Sequence, residues 1–135
     1  FTLSAGVQTP RTSGDSCPTT LEDSTSFIDV AINNPTSSAL TVSLWDGPSA
    51  SGGNAYDTVM AWYNTVLFPP PDRTMCNAAN DDCSTSGAEC AGGTWSSLSG
   101  TDGATVPANG TITVYVGMYS SSDSGSLKIF AKREN

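Results

Sequence analysis

What most limits the folds open to this chain is a series of short apolar runs that alternate with period two and are cut apart by turn-forming residues. Residues 1–7 set Phe1, Leu3, Ala5 and Val7 between small residues. Residues 26–32 read SFIDVAI, with Ile28, Val30 and Ile32 on one face. Residues 40–45 read LTVSLW and point Leu40, Val42 and Leu44 inward. Residues 56–63, YDTVMAWY, are apolar on both faces, as a central strand requires. Residues 104–106 are a candidate short strand. In 111–119, TITVYVGMY, one face carries Ile112, Val114, Val116 and Met118, and SLKIFA at 126–131 is the last run. Asn33-Asn34-Pro35, Asp46-Gly47-Pro48, Ser51-Gly52-Gly53-Asn54 and Asn109-Gly110 are the separators, each rich in residues that adopt turn geometry.

Helix signals are nearly missing. The helix-tolerant stretch 76–91 is broken by Gly87. Short strands with Gly- and Pro-rich turns predict an all-β chain of about seven to eight short strands in an antiparallel β-sandwich. At 135 residues it is one globular unit. Residues 1–25 read as an N-terminal strand plus a Ser/Thr-rich connector, and 26–135 as the sandwich. The stretch 64–103 reads as a long irregular insertion, where function often resides.

Charge removes several classes of function. Thirteen acids against five bases give −8, and Lys128, Lys132 and Arg133 supply three of those bases. Such a surface repels phosphate backbones, so nucleic acid is not an expected partner. No apolar run is long enough to insert into a membrane. Histidine is absent, which excludes Ser-His-Asp and Cys-His chemistry and His-ligated zinc. No pair of acids carries a glycosidase signature, so no catalytic residue is assigned and the chain reads as a non-enzyme.

The cysteines are Cys17, Cys76, Cys83 and Cys90. They lack the close pair that zinc prefers, and Asp81, Asp82 and Glu89 beside them disfavour thiolates. Two disulfides are expected, and hence an extracellular or cell-surface location after loss of a signal peptide. Four cysteines allow three connectivities. Cys76 and Cys83 bracket the compact NAANDD loop, which favours Cys76–Cys83 and leaves Cys17–Cys90.

The order SFIDVAI, LTVSLW, YDTVMAWY, CNAANDDC and PANGTITVYVGMYSSSDSGSLKIFA resembles the bacterial pre-peptidase C-terminal (PPC) domains and related CUB-like sandwiches of secreted proteins, over roughly residues 26–131. The resemblance implies a jelly-roll-like sandwich without catalysis. It also implies calcium held by Asp57 with Asp81 or Asp82. The plainer alternative is that Asp57 caps a strand end and Asn80-Asp81-Asp82 forms an Asx turn. No cofactor is otherwise required.

Among the aromatics, Trp62 reads as core, whereas Trp95, between Gly93-Thr94 and Ser96, is the best exposed candidate for stacking on a sugar. Asn109-Gly110-Thr111 fits the N-glycosylation pattern, but Asn-Gly is first a hairpin turn. Two functions follow. One is a structural or adhesive surface protein that polymerises with itself into filaments, its Phe1, Leu3, Ala5 and Val7 strand adding to a neighbour's sheet. The other is a calcium-assisted carbohydrate-binding module for an extracellular glycan.

Overall fold

The computed structural model describes residues 2–3, 27–48, 57–65, 75–80, 96–100, 103–120 and 125–134. The described residues form nine strands: β1 (Thr2–Leu3), β2 (Phe27–Asn33), β3 (Leu40–Pro48), β4 (Thr58–Tyr63), β5 (Ala78–Asn80), β6 (Ser97–Leu98), β7 (Ala104–Val106), β8 (Thr111–Met118) and β9 (Gly125–Arg133). One sheet runs β1-β9-β3-β6, with β7 also paired to β3, and the other runs β2-β8-β4-β5. Every pairing is antiparallel. The partners are nested: β1 with β9, β2 with β8, β3 with β6 and β7, β4 with β5. This is one long hairpin rolled up into two facing sheets, the strand order of a jelly roll.

The alternation in the sequence explains which residues lie between the sheets. Val42, Leu44, Leu98 and Leu127 come from one sheet and meet Met60, Trp62, Ile112, Val114, Val116 and Met118 from the other. Burying each large side chain contributes roughly 1.5–3 kcal/mol. Every residue of β4 is buried, which bears out its reading as an interior strand. Its other face, Val59, Ala61 and Tyr63, joins Cys76 and Tyr115 in a second buried cluster. There the Tyr115 ring lies over Gly117, where a Cβ would collide with it, and stacks on Phe27 with ring centroids 5.3 Å apart.

Within the described residues the strand expectations hold with four corrections; of the expected strand 1–7 only Thr2–Leu3 is described, and the expected turn Ser51-Gly52-Gly53-Asn54 lies outside the described residues. Asp46-Gly47-Pro48 is not a turn: β3 continues through Pro48. Pro48 is tolerated because it faces Leu127 two residues beyond Asp46↔Ile129, in register with pairs that do not exchange hydrogen bonds with β9. The Asn109-Gly110 step is not a hairpin turn. The turn spans Pro107 to Gly110, closed by Gly110 N–H donating to Pro107 O at 3.0 Å, and it carries the chain from β7 in one sheet to β8 in the other. Asn109 takes the positive φ of 49°. The span 64–103 is not wholly irregular, since β5 and β6 lie within it. The last strand extends to Gly125–Arg133, longer than 126–131.

Asn34 ties one end of the sandwich together. Its side chain is buried. Nδ2 donates to the carbonyls of Ser38 at 2.8 Å, Pro107 at 2.9 Å and Val106 at 3.2 Å. Oδ1 accepts from the Thr36 N–H and hydroxyl. One amide thus holds the β2–β3 connection against the β7–β8 turn.

Candidate functional site

Two places in the molecule carry more chemistry than packing requires. The first is inside. Alternation along β3 sends Val42 and Leu44 into the core, and the same parity sends Asp46 there. Asp46, Thr58 and Ser96 are each 0 % exposed. Asp46 lies on β3, Thr58 opens β4 in the facing sheet, and Ser96 precedes β6, so the group bridges the two sheets. Asp46 Oδ1 accepts the Ser96 N–H at 2.9 Å, while the Asp46 N–H donates to Ser96 O at 3.1 Å. The Ser96 N–H also reaches Thr58 Oγ1 at 3.1 Å, and the Ser96 hydroxyl donates to Thr58 O at 2.5 Å. Asp46 Oδ2 has no hydrogen-bond partner among the described residues. Burial raises the Asp46 carboxyl to about 7, against the smaller opposing pull of hydrogen bonds from Thr58 and Ser96. A carboxyl near neutrality beside two hydroxyls has the ingredients of a proton acceptor. None of the three is exposed to solvent, and their hydrogen bonds tie the two sheets together. Sequence reading missed it because Gly47-Pro48 reads as a turn. The parity of Val42, Leu44 and Asp46 was the signal available.

The second place is the β9 side of the five-stranded sheet. Glu134 N–H donates to Thr41 O at 2.9 Å, which fixes the ladder with Val42↔Arg133 as the next pair. Alternation then turns the N–H groups of Lys132, Phe130 and Lys128 toward β3. Ile129 and Ala131 present theirs to the opposite edge. There, among the described residues, β1 pairs with Ser126 and Gly125, through Thr2↔Ser126 and Leu3↔Gly125. Among the described residues no strand pairs with that edge beyond Ser126. Cover over the inward face also fades along β9. Leu127 is buried, Ile129 is half-buried against the core, and Ala131 is exposed. On the outward face Phe130, 38 % exposed, stacks on Trp45 across the ladder, with centroids 5.3 Å apart and planes 11° from parallel. Lys128 and Lys132 flank it on the same strand, and Lys132 Nζ lies 3.7 Å from Glu134 Oε1.

The residues singled out from sequence are distributed as follows. Leu3 is in β1; Phe1, Ala5 and Val7 lie outside the described residues. Asp57 immediately precedes β4, and its carbonyl accepts the Tyr119 N–H at 2.8 Å. Asp81, Asp82 and Trp95 lie outside the described residues, as do Cys17, Cys83 and Cys90. Cys76 is buried and disulfide-bonded, with its partner outside the described residues. No three acidic or cysteine side chains come together as a metal cluster among the described residues. Among the described residues no helix is long and apolar enough to cross a membrane. No protein-family model, curated protein or solved structure matches the chain.

Proposed function

We propose that this chain is an extracellular, non-catalytic structural or adhesive subunit that assembles with itself by adding its N-terminal strand to a neighbour's sheet. One observation carries the reading: among the described residues β1 lies at the end of its sheet and is joined by two residue pairs to a partner strand of nine residues. A short edge contact is easily exchanged, and exchange of identical elements between copies is a low-cost route to assembly. The non-catalytic part is supported by the sealing of the Asp46 group and by the absence of histidine. The PPC-like motif order fits a secreted module of the same architecture.

The Trp45–Phe130 pair supports a second reading, a carbohydrate-binding module that stacks a sugar ring on the outer sheet face. Calcium on Asp57 belongs to that reading.

One experiment separates the two. The intact chain and a variant lacking residues 1–9 are concentrated and examined by electron microscopy and sedimentation. Filaments from the intact chain and none from the truncated one are the expected result. A monomer at every concentration that shifts on a neutral glycan array, with the shift lost in Trp45→Ala, overturns the assembly reading in favour of the second.

A further inference from the structure

Building on the assembly reading, we infer that a second copy of this chain docks its acidic surface on the outward face of β9, around Phe130 and Lys128. Strand addition joins copies end to end. This contact joins them side by side and uses none of the first nine residues.

The chain divides its charge unevenly. Residues 1–127 hold twelve acids and two bases, Arg11 and Arg73. The last eight residues hold three bases, Lys128, Lys132 and Arg133, and one acid, Glu134. Most of the chain is therefore an anion, and one strand is its cation. Alternation puts Lys128, Phe130 and Lys132 on the same outward face of β9, about 7 Å apart at the rise of a strand. Lys132 is engaged by Glu134 at 3.7 Å. Lys128 is exposed, and among the described residues no acid is paired with it. Its ammonium is the charge this face offers to a partner.

The same face carries a fixed apolar anchor. Phe130 is exposed, yet it is held on two sides. Its ring stacks on Trp45, and it leans over Gly47, where an added Cβ would touch Cε2 at 3.7 Å. An exposed ring that is already immobilised loses little freedom on binding. An aromatic anchor with a charged rim is the make-up of a protein–protein contact centre. The outward face of the other sheet is closed at its centre, where Val59, Ala61, Tyr63 and Tyr115 are buried.

Charge also fixes the arrangement. Two copies meeting through this same face would set lysine against lysine, which is unfavourable. The acidic surface of a neighbour is complementary, so the two copies use different surfaces, a heterologous contact. One ring and one ammonium bury far less than the roughly 1,200 Å² of a stable interface. A single contact is weak, and many act together where copies already stand in a row.

The test is zero-length cross-linking. Unlabelled and isotope-labelled intact chains are mixed at low ionic strength and treated with a carbodiimide, which joins an amine to a carboxyl in direct contact. Peptide mass mapping then separates links between copies, which mix the labels, from links within one. The expected result is a link from Lys128 to an Asp or Glu of a second copy. It should be lost in about 1 M salt, where the screening length falls to about 3 Å. The variant lacking residues 1–9 should give the same link, which separates this contact from strand addition.

Electron microscopy reads the consequence. At low ionic strength filaments of the intact chain should lie side by side, those of Lys128→Glu singly, and those of Lys128→Arg side by side again. Lys128 links found only within one copy, or bundles that persist in Lys128→Glu, overturn the inference while strand addition stands. No link between copies, with a glycan-array shift that is lost in Trp45→Ala, assigns the face to a sugar and likewise overturns it. If the intact chain forms no filaments, strand addition falls, and the presence or absence of the Lys128 link between copies decides this contact by itself.

Discussion

At Asp46 the chain keeps a carboxyl group where an aliphatic side chain would be the ordinary choice, and the consequence is a pH dependence of known sign. Its native pKa is raised from 3.8 to about 7 by burial. Between those values the folded protein holds a proton that the unfolded chain has released. Stability from this group is therefore fully present below about pH 4 and is lost as pH rises to about 7. A shift of this size corresponds to on the order of 4 kcal/mol. Asp46→Asn retains an oxygen for the Ser96 N–H and cannot ionise. We expect the variant to be more stable than the parent at pH 8 and the difference to vanish toward pH 4, as read by chemical denaturation across that range. A difference of constant size at all pH values would refute the assignment. Neither Asp46 nor Asn34 was legible in the sequence as a core group. Both sit in tripeptides that look like turns, and Asn34 is indeed in one. What distinguishes them is burial by partners about fifty to seventy residues away, Ser96 for Asp46 and Val106 and Pro107 for Asn34.

Among the elements, the long strands could be read because burial on one face or both imposes a pattern that the sequence must satisfy. β8 shows this most fully: Ile112, Val114, Val116 and Met118 all lie in the central core. β5 and β6, at three and two residues, are too short to show a period. They exist because β4 and β3 offer them ladders at Met60↔Asn80 and Leu44↔Leu98. The end of β3 escaped for a different reason, since Gly47 and Pro48 satisfy a turn and a strand equally well. Leu44 has the opposite character. It is fully buried and is paired on one side with Leu98 and on the other with Ala131. Leu44→Ala should cost about 3 kcal/mol, measured by denaturant titration with an unchanged slope. A loss below about 1 kcal/mol would mean that the two sheets close over the gap.

In the whole molecule, the sandwich could be anticipated from strand count and turn spacing, but the site could not. The edge of β9 is defined by what does not lie beside it among the described strands, and a one-dimensional sequence does not record the neighbours of a strand. The nested pairing has a further consequence, in time. Thr2 meets Ser126 and Phe27 meets Gly117, so the outermost partners are the most distant along the chain. Closing such long loops is slow, which puts this topology among the slow folders, in the range of milliseconds to seconds. The first strand waits for the last one to be made and seated. Throughout that wait its alternatives are strands on other chains, and which it meets first depends on how crowded the surroundings are. Refolding at nanomolar concentration should return closed monomers, and refolding at high micromolar concentration should return linked copies, with each product persisting after both are brought to the same dilution. The chain's history, and not its sequence alone, would then decide whether it ends as one body or as part of many.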